Sequence, residues 1–285
     1  LNGLEFTAGG RRWRADVTAP TDLAIVLEFN GAQPSFYVAT PASSEPLRIG
    51  GFTGSVANGA SCNCAVHSLA PHCHGTHTEC IGHVTRSPVT IASLTPVAPC
   101  VALVVSVRPE PLGAAAAAPL GGHAAADDLV IRRAALAAAA AAAAAAWLDA
   151  PFTAVVIRTL PNEADKRHRA YSGSPSPAPY FLPEAMRWLV EHGVTSLVVD
   201  LPSLDRADDG GRLAAHREYW GLPPGADDAA QATRGQALVT ELAYVPDSVA
   251  DGLYLLDLQV PAFAADAAPS RPVLYPLLAI PGVAT

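Results

Sequence analysis

Residues 152–200 constrain the fold more than any other part of this chain. Phe152–Arg158 (Phe-Thr-Ala-Val-Val-Ile-Arg) is a short apolar run rich in β-branched residues and reads as a strand. A long polar loop follows, and then a helix is predicted over Pro183–His192. Pro183 and Glu184 suit a first helical turn, and Gly193 suits the position just past the last one. Ala185, Trp188 and Leu189 fall on one face of that helix. Val194–Asp200 is the next strand. A strand, a crossover helix and a second strand imply a parallel pair, and hence an α/β sheet.

Further strands are predicted at Asp22–Phe29, Ser61–Leu69, Val101–Val107, Gln236–Leu242, Gly252–Val260 and Pro272–Ile280, with a helix at Arg212–Trp220. Asp127–Leu148 also reads as a helix, because its alanine tract has the highest helix propensity and Asp127 and Asp128 suit an N-terminal dipole. No internal repeat or long linker divides the chain, so a single α/β domain is expected over residues 1–285. Half of the residues are apolar, which is ample for a large core.

Charge narrows the partners. A formal net charge of −8 and only short basic clusters argue against nucleic acid, which needs grouped Lys and Arg. The longest apolar run, Ala134–Ala146, is too short to span a membrane. Five cysteines in a chain with this much core point to reduced thiols and a cytoplasmic location.

The chemistry concentrates in Pro71–His83 (Pro-His-Cys-His-Gly-Thr-His-Thr-Glu-Cys-Ile-Gly-His), where four histidines, two cysteines and one carboxylate crowd thirteen residues. If the segment is extended, Cys73, His77, Glu79 and His83 point the same way. His72 and His74 have the opposite parity, and Gly75 is a place where a bulge or sharp turn could reverse it. Three residues therefore compete for one ligand position: Cys73, His72 and His74. Farther on, Glu241 lies on a predicted strand between apolar neighbours, and a buried carboxylate there needs a partner or a metal.

These residues carry a resemblance. Gly75-Thr76-His77, Glu79 and His83 are similar to the signature His-x-Gly-Thr-His-x-Asp-x-Pro-x-His of the cyclase family of metal-dependent hydrolases, which includes kynurenine formamidases and isatin hydrolases. Cys73 stands at the first His, Glu79 at the Asp and Ile81 at the Pro. Ala154–Thr159, Gly193–Asp205, His216, Glu241 and Ser270-Arg271-Pro272 resemble later family segments in the right order.

The resemblance implies a swivelling β/α/β fold with a mixed sheet and flanking helices. It implies a divalent-metal site with Cys73, His77, Glu79, His216 and Glu241 as ligands and His83 as general acid/base. It also implies a small-molecule substrate with a hydrolysable C–N bond, as in an amide, formamide or lactam, and a homo-oligomer. A thiolate at residue 73 favours zinc over manganese. Two other readings compete: a structural zinc site built on Cys62, Cys64, Cys73 and Cys80, and a non-catalytic member that binds a small ligand. Asp200 and Asp205 are candidates for supporting the ligands or for capping turns, and Tyr171 and Tyr180 for closing over substrate or packing a loop. His67, His123, His168 and His192 are expected to play ordinary structural parts.

Overall fold

The computed structural model describes residues 3–37, 40–94, 98–117, 124–144, 152–171 and 178–280. Its main sheet contains β1 (Leu4–Ala8), β2 (Arg11–Ala15), β3 (Thr21–Asp22), β4 (His77–Glu79), β5 (Cys100–Val107), β6 (Ala154–Thr159), β7 (Ser196–Val199), β8 (Leu238–Glu241), β9 (Gly252–Gln259), β10 (Ala267–Pro269) and β11 (Arg271–Ala279). The strand order is β1-β2-β11-β9-β5-β6-β7-β8-β4-β10, with β3 beside β11. Strands β5 to β8 are mutually parallel, and the flanking strands run antiparallel. The expected parallel pair is β6 and β7, with Val155 opposite Leu197. The architecture is mixed α/β with few helices.

Alternation along the central strands makes two cores. Leu103, Val155, Leu197 and Val239 face helices α1 (Arg133–Ala144), α2 (Pro183–Glu191) and α3 (Ala214–Trp220), which supply Leu136, Met186, Leu189 and Trp220. Ala102, Val104, Val156 and Val198 face the other way, against Leu23, Ala243 and Val245. Among the described residues no helix is long and apolar enough to cross a membrane.

Several expected elements are shorter. The helix predicted over Asp127–Leu148 is observed only at Arg133–Ala144, and residues 145–148 lie outside the described residues. Leu129–Ile131 is a strand instead, parallel to Tyr180–Phe181, because this apolar β-branched triplet finds a strand partner. Asp128 is not a helix cap there: it accepts hydrogen bonds from Arg206 and the Tyr180 hydroxyl. Asp22–Phe29 pairs only through Thr21–Asp22 and an isolated bridge at Ala24, since the Ile25 N–H leaves the ladder for the Thr76 hydroxyl. Of Ser61–Leu69, only Ala65–Ser68 forms a strand, exposed and antiparallel to Ser43–Pro46. The structure adds a β1–β2 hairpin, whose Gly9-Gly10 turn has positive φ at both residues (56° and 71°), where glycine is favoured.

Candidate metal centre

The site is assembled by strand register. β4 pairs with β8 so that Glu241 lies opposite His77 and Val239 opposite Glu79. His77, Glu79 and Glu241 therefore project to the helix-covered face together with Val239. Thr78 projects to the other face, where its hydroxyl meets Thr240 at 2.7 Å and Ser270 at 2.8 Å. Helix α3 covers the site and carries His216, which is 1% exposed.

Gly75 does not do the job expected of it. Gly75 is fully extended (φ −177°), and an added Cβ would meet nothing closer than Leu27 at 4.0 Å. Neither a sharp turn nor a close approach requires glycine here. Thr76 is the structural anchor: its hydroxyl accepts from Ile25 N–H at 2.8 Å and donates to the Leu242 carbonyl at 2.5 Å. That bond braces Leu242, whose left-handed backbone (φ 52°) follows directly on Glu241.

The extended reading of Pro71–His83 holds only at His77–Glu79, for His83 lies in a 3-10 turn over Ile81–Val84. Pro71–His74 is one helical turn, favoured by proline at its start, so strand parity does not apply before residue 77. The turn brings His72 onto the site: its Nδ1 is 3.2 Å from Glu79 Oε2. His74 turns back, with Nδ1 accepting from Ala70 N–H at 2.9 Å. Cys73 is half-buried, and burial raises its thiol pKa.

Ligand atoms converge in three overlapping groups, each within 4.8 Å: His72, His77 and Glu79; Glu79, His83 and His216; and His72, His83 and Asp266. Glu241 joins from the side, with Oε2 3.5 Å from His77 Nε2 and Oε1 3.4 Å from His216 Nε2. So His77, Glu79, His83, His216 and Glu241 come together, and no cysteine enters a group among the described residues. Cys62 and Cys64 are exposed, whereas Cys80 is buried with its thiol directed at the Val89 carbonyl. Asp266 was missed in the sequence, where it stands in an unremarkable Ala-Asp-Ala and carries no motif.

The residues fit a divalent cation. His77 Nε2, His216 Nε2 and both Glu79 carboxylate oxygens are buried without an aligned hydrogen-bond partner. His216 Nε2 and Glu79 Oε1 are 2.8 Å apart, an ion-pair distance, yet their bond directions do not form a hydrogen bond, so we read them as facing a shared point. Buried polar atoms left so are costly, and a cation held by Glu79 with the histidines of either group offsets that cost. The remaining nitrogens are held from behind: His77 Nδ1 donates to the Gly75 carbonyl at 3.0 Å, and His216 Nδ1 to Asp205 at 2.7 Å. Asp205 also accepts from the Ala215 and His216 N–H groups, fixing the start of α3. Asp200 is bound instead to Lys166 at 2.8 Å and to Thr159.

The charges are strongly coupled. Burial disfavours a charged His72, but its hydrogen bond to Asp266 and the Glu79 carboxylate beside it outweigh this and push its pKa up to about 10. Burial likewise opposes a charged His216, and the Glu79 charge reverses this and raises its pKa well above the usual value. Burial would raise the Glu79 carboxyl, yet the histidines around it hold it well below the usual range.

A cleft of ≈ 690 Å³ lined by Pro183, Arg217, Leu222 and Pro223 contains none of these residues. A smaller pocket of ≈ 110 Å³ adjoins the site, lined by Ile25, Leu27, Leu69, Pro71, Gly75 and Thr76 among others. Tyr171 is buried with Ile25, Phe36 and Leu242, and Tyr180 with Leu112 and Val130.

Fold and site together define an α/β protein with a buried histidine–carboxylate cluster suited to a cation. The chain belongs to the family described as "Putative cyclase", whose profile matches residues 21–206. Among solved structures, a predicted metal-dependent hydrolase from Bacillus stearothermophilus is similar at 14% identity and a TM-score of 0.53, over 90% of this chain and 98% of that one. Isatin hydrolase A from Labrenzia aggregata, bound to benzyl benzoate, is similar at 15% identity and a TM-score of 0.56, over 90% and 93%. A novel cyclase reaches a TM-score of 0.59 at 13% identity, over 90% and 86%. No curated protein matches the chain.

Proposed function

We propose that the protein is a metal-dependent hydrolase that cleaves a C–N bond in a small amide, formamide or lactam. The observation that carries this is the set of buried, unaligned ligand atoms of His77, Glu79 and His216, which lie in two overlapping histidine–carboxylate groups that share Glu79. Family membership and the solved metal-dependent and isatin hydrolases of similar fold support it.

His77, Glu79, His216 and Glu241 would hold the cation, with His72 at the place expected of Cys73. A divalent ion supplies Lewis acidity there: it lowers the pKa of a water and polarises a carbonyl. The donors are nitrogen and oxygen, a set that suits zinc and manganese alike; zinc is the proposed ion. Glu241 Oε1 is held by the Leu204 N–H at 2.9 Å, which fixes its orientation. His83, near Glu79 but partly exposed, is the proton carrier between the attacking water and the leaving nitrogen. The small apolar pocket beside Gly75 supports a compact substrate. A homo-oligomer in the cytoplasm remains the proposed working form.

The test removes the metal with a chelator and assays formamide, lactam, amide and ester substrates before and after zinc or manganese is restored. Loss and recovery of turnover on C–N substrates is expected. Full activity in the metal-free protein would refute the proposal, and stoichiometric metal without turnover on any substrate would favour a ligand-binding role.

A further inference from the structure

Asp266 lies outside every motif read from the sequence, yet one of its oxygens meets two histidines of the site. Oδ2 is 2.9 Å from His72 Nε2 and 3.3 Å from His83 Nδ1. The backbone holds the residue in place. Its carbonyl accepts from Cys80 N–H at 2.9 Å, and the next residue, Ala267, opens β10 directly opposite Glu79. Gly82 permits the approach: a Cβ there would come within 3.4 Å of Asp266 Cβ and would run into the Val89 carbonyl.

The contact decides which nitrogen each ring turns inward. With Nε2 donating to Asp266, His72 presents Nδ1 to Glu79 Oε2 at 3.2 Å. With Nδ1 donating to Asp266, His83 keeps Nε2 as the nitrogen with a free lone pair. The two rings stack with centroids 4.3 Å apart and an interplanar angle of 30°, so neither turns over without displacing the other.

Resting on the hydrolase reading above, we propose that Asp266 is a positioning residue that sets both rings at once. It aims the Nδ1 lone pair of His72 at the cation and holds His83 with Nε2 ready to accept a proton. Removing the carboxylate behind a ligating histidine weakens metal affinity by about 10–100-fold. Misorienting a general acid/base forfeits much of its contribution of roughly 10²–10⁴-fold. One substitution should therefore strike two measurements that an ordinary surface aspartate would leave alone.

The experiment measures zinc affinity by chelator competition, together with kcat and KM, in the wild type, Asp266→Asn, Asp266→Glu and His77→Ala. Asp266 has a side chain 41% exposed, so its variants are expected to fold, which a thermal melt checks. The expected result for Asp266→Asn is a zinc Kd raised about tenfold or more, kcat lowered about 100-fold, KM little changed, and partial rescue of both effects by Asp266→Glu. Unchanged zinc affinity and kcat in Asp266→Asn, beside a wild type that binds zinc and a His77→Ala that does not, would overturn this proposal and leave the hydrolase reading standing. Loss of zinc as complete as in His77→Ala would also overturn it, making Asp266 a ligand. A wild type that binds no zinc would refute the hydrolase reading and this proposal with it.

Discussion

His216 Nε2 stands 2.8 Å from Glu79 Oε1, and through this contact helix α3 is fastened to strand β4 inside the sheet. Truncating the histidine leaves a buried carboxylate short of a partner. His216→Ala is expected to destabilise the metal-free protein by on the order of 3 kcal/mol, read by chemical denaturation. It should also abolish stoichiometric zinc binding. Asp205→Asn, which loosens the His216 ring and the start of α3 but keeps the ligand, should keep zinc but weaken it about tenfold.

Proton and cation compete for the same imidazoles. His72 is pushed up to about 10, so it holds a proton at neutral pH when no cation is bound, and the Glu79 charge raises His216 in the same direction. A ligand histidine must be neutral, so zinc affinity should rise as pH climbs from about 6.5 towards 10. The stability of the metal-free protein should move the other way. A raised histidine pKa contributes stability that is fully present below the unfolded value near 6.5 and is lost as pH rises through the folded value. Isothermal titration and thermal melts across pH 6–9 check the two opposite slopes, with pH values chosen around that unfolded pKa.

The helical turn at Pro71–His74 separates two neighbours that the linear sequence treats as rivals. Cys73→Ser is expected to leave metal stoichiometry unchanged by elemental analysis. His72→Ala should raise the zinc Kd about tenfold or more. Equal losses in the two variants would return Cys73 to the ligand set.

Thr76 bridges the Ile25 N–H and the Leu242 carbonyl. Thr76→Val keeps the shape and deletes both bonds, leaving two buried backbone groups unsatisfied. A loss of about 1–3 kcal/mol is expected from urea unfolding. Zinc affinity should fall as well, because Leu242 follows the ligand candidate Glu241.

His83→Ala separates binding from proton transfer. The expected variant holds zinc at normal stoichiometry while kcat falls by about 10²–10⁴-fold. Loss of zinc in this variant would make His83 a ligand instead.

Much of this was legible because it is local. The β-branched run at residues 154–159 and the amphipathic stretch at 183–191 announced a strand and a helix, and together they gave the parallel pair. The donor-rich segment gave His77, Glu79 and His83 as candidates. What escaped depends on pairings across the chain. Side-chain alternation holds only for an extended backbone, whereas proline starts a helical turn before Gly75, and so His72 and not Cys73 faces Glu79. Alanine propensity extended the helix backwards over Leu129–Ile131, where a strand partner 50 residues later prevails. Asp266 had no local signal at all: its role comes from β10 lying beside β4.

That same pairing has a consequence for how the protein is made. His72 and Asp266 are 194 residues apart, and the other donors lie in between and on different elements. Strand β4 is only three residues long and is clasped by β8 on one side and β10 on the other. A nascent chain still inside the ribosome beyond residue 266 has the donor-rich segment and β8 in solution but lacks β10 to close the other side. Contacts of such long range form late. Cation capture in the native geometry thus comes at the close of folding, so bound metal would report that the last strands have been inserted.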